Sequence, residues 1–264
     1  WPASMPGVIA DESGIRIAEY GASNSGMMKH IYRKGLTARY GKTMQVIAGI
    51  HYNFSLPESL LDALLDSPGQ THSDLYLALV RNVLRSAWLL PYLFGASPAC
   101  ALSSIPQAMP SYMNRYRSNS AIGRWATSLR MGELGYQNLA QDKIAIDYNT
   151  IHAYAKSLVG VTQKPFSDFT QLGVLVGGEY NQLNDSLLQI ENEFYSPIRP
   201  KQPTEAGERP AVALCRRGVE YVELRTLDLN PFEPSGLDAT TIAFLDVFLF
   251  YNLLNESAPM SEAE

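Results

Sequence analysis

The strongest constraint on the fold is a pair of segments, far apart in the chain, that both have strand character and one polar face. Residues 44–54, MQVIAGIHYNF, and residues 219–227, VEYVELRTL, are rich in β-branched and aromatic side chains. Side chains alternate across a strand, so Glu223 and Arg225 share one face of the second segment. Each segment therefore predicts a strand that places polar groups on one side of a sheet.

Helical segments surround these strands without a regular alternation. Further strand character appears at 173–176 and 188–195, whereas 97–123 is rich in Pro and Ser and predicts an irregular loop. A doubly wound fold requires a strand–helix–strand rhythm, so this order favours an α+β fold with a largely antiparallel sheet. Helices are predicted after Ser25 up to Gly41, and over residues 57–66, 73–90 (with Val80, Val83, Leu84, Ala87 and Trp88 facing the core), 151–159 and 238–254.

Charge and cysteine usage limit the classes of partner. The net charge is −5 and the pI is about 5.5, which argues against non-specific binding to nucleic acid or to anionic membranes. Arg81 and Arg85 interrupt the most apolar stretch, which therefore predicts a buried helix. Cys100 and Cys215 are too few for a disulfide framework, and their apolar surroundings predict two buried thiols. We expect a cytoplasmic monomer that binds neither nucleic acid nor membrane.

Two groups of polar residues are candidates for chemistry. On strand 219–227, the simplest interpretation of Glu223 and Arg225 is a structural ion pair, and the alternative is a metal ligand beside a phosphate clamp. On strand 44–54, a lone His51 is more often a satisfied core histidine. The two-residue period nevertheless aligns it with other side chains, which suggests a wet cavity or ligand site. These aligned residues are Gln45, Ile47, Gly49, Asn53 and Ser55.

Two further stretches are less specific. SLRMGELGY contains Arg130 and Tyr136, and this arginine alone is compatible with a surface position. QIENEFYSPIRPK is rich in charged residues, and such runs are usually a solvated face. Glu191, Glu193 and Tyr195 nevertheless alternate onto one side. The sequence contains no Ser-His-Asp order, HExxH, CxxC, Walker loop or GxGxxG pattern.

Several motifs in the same order resemble the bacterial glutamate–cysteine ligase family of the proteobacterial type. They are GASNSGMMKHIYRKGLTARYGKTMQVIAGIHYNFSLP, LPYLFGASPA, ATSLRMGELGY, QIENEFYSPIRPK and GVEYVELRTLDLNPF. The resemblance implies a glutamine synthetase-like fold, in which a largely antiparallel sheet forms a funnel flanked by helices. It also implies ATP-dependent ligation of the γ-carboxylate of L-glutamate to the amine of L-cysteine through γ-glutamyl phosphate, the first step of glutathione biosynthesis. Mg²⁺, or alternatively Mn²⁺, would accompany ATP.

The resemblance also implies roles for individual residues. Glu223 and His51 would bind metal, and Arg225 would stabilise the phosphoryl group in transfer. Asn53, Ser55 and Arg33 would lie on the ATP side. Arg130 would hold a carboxylate of glutamate. The amino-acid pockets would be shaped by Tyr32, Leu36, Gln45, Ile47, Tyr136 and Tyr195.

The sequence begins at Trp1, whereas the family places several metal-binding carboxylates in a preceding segment. We therefore expect residues 1–264 to be a single catalytic-domain fragment, without N-terminal and C-terminal parts of the full enzyme and with little or no activity alone. Two alternatives remain open. One is another carboxylate–amine ligase on the same scaffold, and the other is a non-catalytic binding module.

Overall fold

The computed structural model describes residues 1–105, 109–135, 140–141 and 144–261, which form helices packed against antiparallel sheets. The helices are α1 (Asn24–Tyr40), α2 (Glu58–Ala63), α3 (His72–Ser86), α4 (Leu89–Phe94), α5 (Ile151–Val161), α6 (Ser167–Leu172), α7 (Pro210–Arg217) and α8 (Ala239–Leu254). The strands are β1 (Ile50–Phe54), β2 (Ala99–Ala101), β3 (Met113–Tyr116), β4 (Ser120–Gly123), β5 (Leu175–Val176), β6 (Glu179–Tyr180), β7 (Ile198–Lys201) and β8 (Tyr221–Leu227).

The central sheet has the strand order β1-β8-β7, and both pairings are antiparallel. Glu223 on β8 lies opposite Asn53 of β1 and opposite Arg199 of β7. The β1–β8 register shifts between Ile50 and Tyr52, which places His51 at a bulge. Bulges disrupt the ladder locally and are frequent next to functional sites.

One face of this sheet forms the main core. Val222 and Leu224 of β8 are fully buried and belong to one hydrophobic cluster with residues of α3 and α8. Leu79 and Val80 represent α3 in that cluster, and Leu245 represents α8. Each such side chain contributes roughly 1.5–3 kcal/mol by leaving water. The alternation along β8 consequently leaves Tyr221, Glu223 and Arg225 on the opposite face, which is only partly covered.

The prediction of a strand over residues 44–54 is wrong for the first half of that segment. Residues Thr43–Val46 form a 3₁₀ helix, and only Ile50–Phe54 pair with β8. The two-residue period therefore does not extend to Gln45 and Ile47, which do not share a strand face with His51. Packing of Ile47 against a separate hydrophobic cluster, formed around the second sheet, explains why the chain turns here.

Other predictions also differ from the structure. Residues 97–123, expected to be a loop, contain the sheet β2-β4-β3, because these short strands are stabilised by pairing with one another. The expected strand 188–195 contains the 3₁₀ helix Glu191–Glu193 instead. Trp88 is 66% exposed, so it is not part of the core stripe. Cys100 is buried as expected, but Cys215 is exposed.

The α-helix predictions at both ends of the chain are confirmed, with one change at a cap. The side chain of Ser23, rather than Ser25, accepts the hydrogen bond from the backbone N–H of Gly26 at the start of α1. Gly41 ends that helix at a φ of 82°, a conformation that glycine adopts without steric cost. No helix among the described residues combines the length and the apolar character that crossing a membrane requires.

Candidate active site

Glu223 lies at the centre of the open face of the β1-β8-β7 sheet. Its Oε2 atom is 3.5 Å from Nδ1 of His51 on β1. Its Oε1 atom is 3.4 Å from Nζ of Lys201 on β7 and 3.5 Å from Nε of Arg225 on its own strand. The three strands therefore bring one carboxylate into contact with three basic side chains.

His51 links the two charged residues of β8. Its Nε2 atom accepts a hydrogen bond from Nε of Arg225 at 3.3 Å, while its Nδ1 atom faces Glu223. A neutral imidazole with its proton on Nδ1 satisfies both contacts at once. The ring is half exposed, so a ligand above the sheet can reach it.

The surroundings of Glu223 favour its ionised form. Burial acts to raise the pKa of this carboxyl group, but the hydrogen bond with His51 and the charges of Lys201 and Arg225 outweigh burial and lower the pKa to about 2. Glu223 is therefore a carboxylate at neutral pH, which is the state required of a metal ligand.

Arg225 has more donors than described partners. Its Nη1 atom is buried and has no hydrogen-bond partner among the described residues. Its guanidinium carbon lies 5.5 Å from the centre of the Tyr195 ring, a separation at which a cation is attracted to an aromatic face. Arg225 is thus oriented by Glu223, His51 and Tyr195 while its Nη1 group remains available.

A second arginine approaches the same face from β7. Arg199 is paired in register with Glu223 and is only 5% exposed. Burial lowers the pKa of Arg199 to about 10, and the nearby charge of Arg225 acts in the same direction. Burial also lowers the pKa of Lys201, whereas Glu223 opposes that effect. This edge of the site therefore concentrates positive charge.

Tyr32 on α1 lies within electrostatic range of Arg199, Arg225 and its neighbour Arg33. Burial and the Glu193 carboxylate raise the pKa of the Tyr32 hydroxyl, while Arg199, Arg33 and Arg225 oppose this rise. Arg33 donates through Nε to the hydroxyl of Tyr20 at 2.6 Å. The hydroxyl of Tyr32 is consequently neutral at physiological pH, and α1 supplies a side of the site.

Of the remaining expected pocket residues, Gln45 contacts α1, whereas Leu36 and Ile47 are buried. Gln45 donates through Nε2 to the backbone oxygen of Arg33 at 3.1 Å and to the hydroxyl of Thr37 at 2.6 Å. Leu36 and Ile47 are buried, at 8% and 4% exposure. Gln45 therefore anchors the helix that carries Tyr32, and its amide is engaged by the protein itself.

Arg130 is buried, so the interpretation of this arginine as a surface residue is wrong. Its Nε donates to Oδ1 of Asp228 at 2.9 Å, and its Nη2 donates to the backbone oxygens of Arg225 and Leu227. The guanidinium group thus lies against the end of β8 and the residue that follows it. Asp228 was not singled out in the sequence, although it follows the charged strand directly.

Two residues expected to lie on the ATP side, Asn53 and Ser55, are at the C-terminal end of β1. Asn53 and Ser55 are exposed, and Asn53 faces Glu223 across the β1–β8 pairing. Tyr136 lies outside the described residues. The structure therefore brings together His51, Asn53, Glu223 and Arg225.

Sequence reasoning missed Arg199 and Lys201 as members of this face. They belonged to a charged stretch interpreted as a solvated surface, yet Glu191, Glu193 and Arg199 are all nearly inaccessible. The expected alternation of Glu191, Glu193 and Tyr195 is also wrong, because Glu191 pairs with Arg209 and Glu193 with Arg39. Arg199 and Lys201 are two residues apart, and this spacing puts both side chains on one face of a strand. It is the sequence signal from which β7 could have been predicted.

The described residues offer only part of a metal site. Among them, no three His, Cys, Asp or Glu side chains lie close enough together to hold a metal ion. Mg²⁺ is nevertheless often held by one or two carboxylates, with water and substrate phosphate oxygens completing the octahedron. The ionised carboxylate of Glu223 fits a hard divalent ion that arrives with a nucleotide.

The fold and the site together define an α+β protein whose open sheet face is suited to binding oxyanions beside a carboxylate. A sequence model of the glutamate-cysteine ligase family matches residues 1–264, and the chain belongs to that family.

Individual relatives agree with this assignment. The chain is 47% identical over 269 residues to a glutamate–cysteine ligase of Vibrio vulnificus (strain CMCP6) and 48% identical over 270 residues to one of Pseudomonas putida (strain KT2440). All of this chain is covered in both alignments, with 51% of each relative. The chain therefore spans about half the length of the curated relatives it matches.

Solved structures give the same picture of the fold. A glutamate–cysteine ligase from Francisella tularensis, in complex with AMP, superposes with a TM-score of 0.95 at 46% identity, covering 99% of this chain and 52% of that one. A bifunctional glutathione synthetase from Pasteurella multocida superposes with a TM-score of 0.71 at 28% identity, covering 99% of this chain and 29% of that one.

Proposed function

We propose that this chain carries the phosphoryl-transfer face of an ATP-dependent enzyme that joins the γ-carboxylate of L-glutamate to the amine of L-cysteine. The observation that carries the proposal is the contact of His51, Glu223 and Arg225 on one sheet face, within 3.5 Å of one another. Family membership and the AMP bound by the Francisella relative support a nucleotide as a ligand of this fold. We place that nucleotide at this face because Glu223 and Arg225 lie there.

The reaction has two steps that balance without an additional reactant. An oxygen of the glutamate γ-carboxylate attacks the γ-phosphorus of ATP, forming γ-glutamyl phosphate and releasing ADP. The cysteine amine then attacks the acyl carbon, the C–O bond to phosphate breaks, and the nitrogen loses a proton. Phosphorylation is required because a carboxylate has no good leaving group.

In this proposal, Arg225 stabilises the charge on the transferred phosphoryl group through its free Nη1 atom. Glu223 and His51 would hold Mg²⁺, or Mn²⁺, and such an ion would neutralise the polyphosphate charge. Asn53, Ser55 and Arg33 meet the nucleotide. The sheet already orients His51, Asn53, Glu223 and Arg225, so these four groups require little reorganisation, whereas Arg33 would reach the nucleotide from α1.

The substrate pockets form the other side of the proposed site. Arg130 would hold a carboxylate of glutamate, while Tyr32, Leu36, Gln45, Ile47, Tyr136 and Tyr195 would shape the amino-acid pockets. The proximity of Tyr195 to Arg225 and the shared electrostatic range of Tyr32 and Arg225 support this arrangement. We infer that the sheet face is one wall of a glutamine synthetase-like funnel. The free thiols of Cys100 and Cys215 agree with the reducing cytoplasm as its location.

The test is product formation by the protein expressed from the complete reading frame that encodes this sequence. γ-Glutamylcysteine and ADP are measured with ATP, glutamate and cysteine, and then with 2-aminobutyrate or putrescine in place of cysteine. Preference for cysteine supports the proposal. Preference for another amine would instead identify a different carboxylate–amine ligase.

Site variants distinguish a catalytic face from a binding module. Glu223→Gln and Arg225→Lys are each expected to lower kcat/KM at least about a hundredfold, the usual scale for a lost electrostatic stabiliser. Glu220→Gln is the matched control, because Glu220 lies just before β8 and is exposed. Parent-like turnover by Glu223→Gln would reject the proposed site. We expect little turnover from residues 1–264 alone.

A further inference from the structure

Arg199 is a buried cation with two unused donors. Its side chain is almost inaccessible, and Nη1 donates to the backbone oxygen of Asn192 at 3.1 Å. The Nε and Nη2 atoms are also buried, and neither has a hydrogen-bond partner among the described residues. Buried polar groups in folded proteins are nearly always paired, so these two donors require an explanation.

The charged residues nearest to Arg199 do not explain why these two donors lack partners. On the same face, Lys201 and Arg225 are also positive, and Glu223 is the carboxylate in contact with both. The described ion pairs of Glu223 involve Lys201, Arg225 and His51, but not Arg199. Among the described residues of this face, positive charge therefore exceeds negative charge.

The chemistry of the free donors indicates what completes the site. A guanidinium group presents its N–H donors in a planar fork that matches two oxygens of a carboxylate or phosphate. We propose that Arg199 binds an oxyanion of a ligand through Nε and Nη2, with Nη1 of Arg225 on the same group, as an anion subsite beside Glu223. The inference rests on the proposed function for the identity of the ligand, which is glutamate, cysteine or ATP.

The position of the subsite is consistent with a ligand that enters from the open face. Arg225 and Lys201 remain partly exposed, with 17% and 22% of their side chains accessible. Arg199 lies deeper, within electrostatic range of the buried Tyr148 and Tyr154. An oxyanion reaching Arg199 would therefore be largely removed from water, which strengthens its attraction to the guanidinium group.

Calorimetric titration of the complete protein tests the subsite. Glutamate, cysteine, Mg·ATP and inorganic phosphate are titrated separately into the parent, Arg199→Gln and Arg199→Lys. We expect Arg199→Gln to weaken at least one of these ligands about tenfold or more, and Arg199→Lys to lie between, because lysine keeps the charge without the fork. Selective loss of an amino acid assigns a carboxylate, and parallel loss of Mg·ATP and phosphate assigns a phosphoryl group.

The matched control is Arg216→Gln, which removes an arginine that pairs with Glu208 away from this face. Circular dichroism and melting temperature verify that each variant is folded. If Arg199→Gln does not fold, the affinities of Arg199→Lys test the subsite instead. Unchanged affinities, or equal loss for all four ligands, would overturn the subsite. If the parent binds ligands but forms no γ-glutamylcysteine, the ligase proposal fails while the titrations still decide the role of Arg199.

Discussion

Arg130 and Asp228 form an ion pair that is almost completely inaccessible to solvent, with Nε and Oδ1 separated by 2.9 Å. The same carboxylate accepts hydrogen bonds from the hydroxyls of Ser97 at 2.6 Å and Ser128 at 3.0 Å. Arg130 in turn donates to the backbone oxygen of Leu227. The pair therefore joins the end of the central sheet to the segment that follows the second sheet.

Replacing Asp228 by Asn is expected to destabilise the protein by about 3–5 kcal/mol. The variant retains the shape of the side chain but leaves the buried charge of Arg130 without a partner. Denaturant unfolding followed by circular dichroism measures the change. Asp66→Asn, at an exposed position, should change stability by less than about 0.5 kcal/mol. Equal stabilities of the two variants would contradict a structural role for the pair.

Gly49 is expected to be intolerant of a side chain. A Cβ atom at this position would lie 2.5 Å from the guanidinium carbon of Arg130, which its partners hold in place. Gly49→Ala should therefore cost about 1–3 kcal/mol by overpacking, measured by chemical unfolding. It should also weaken glutamate binding if Arg130 holds a carboxylate. Gly7→Ala is the control, since no atom beyond the two adjacent residues lies within 4 Å of that Cβ.

Glu208 contributes to the pH dependence of stability. Hydrogen bonds from the side chain of Arg217 and the backbone of Glu205 lower its pKa to about 2, from an ordinary value of 4.5. A depressed carboxyl pKa stabilises the folded state fully above pH 4.5, and this contribution is lost as the pH falls toward 2. The melting-temperature difference between the parent and Glu208→Gln should therefore shrink between pH 6 and pH 3.

Glu205→Gln is the control for this measurement, because Glu205 is an exposed neighbour whose described contact to Glu208 uses its backbone N–H. Its melting temperature should follow that of the parent at every pH. A difference for Glu208→Gln that stays constant from pH 6 to pH 3 would exclude the titration of Glu208 as its cause.

The start of α3 depends on a capping box. The hydroxyl of Thr71 accepts from the backbone N–H of Asp74, and the Asp74 side chain accepts from the backbone N–H of Thr71. Thr71→Ala should cost about 0.5–2 kcal/mol, because a helix N-terminal donor loses its partner. Thermal unfolding measures this cost against Thr204→Ala, an exposed threonine outside the helices. A cost no larger than that of the control would argue against the capping box.

Helices with strong local signals were predictable, and the sheet was predictable only in part. The turn-forming Ser23 and Gly41 bracket α1, and the apolar run of α8 is long enough to be unambiguous. β8 was predicted because its alternation covers seven residues. The short strands β2, β3 and β4 were missed, since a strand of three or four residues is stabilised by partners that local composition does not reveal.

The order of motifs along the chain was enough to indicate the family, and the period of two was enough to put Glu223 and Arg225 on one face. Pairing between distant strands decided what surrounds them. The pairing of β1 with β8 brings His51 within 3.5 Å of Glu223. Strand β7 adds Arg199 and Lys201 from a stretch with the composition of a surface loop. Register and burial arise from contacts between distant segments, so only the tertiary structure defines this site.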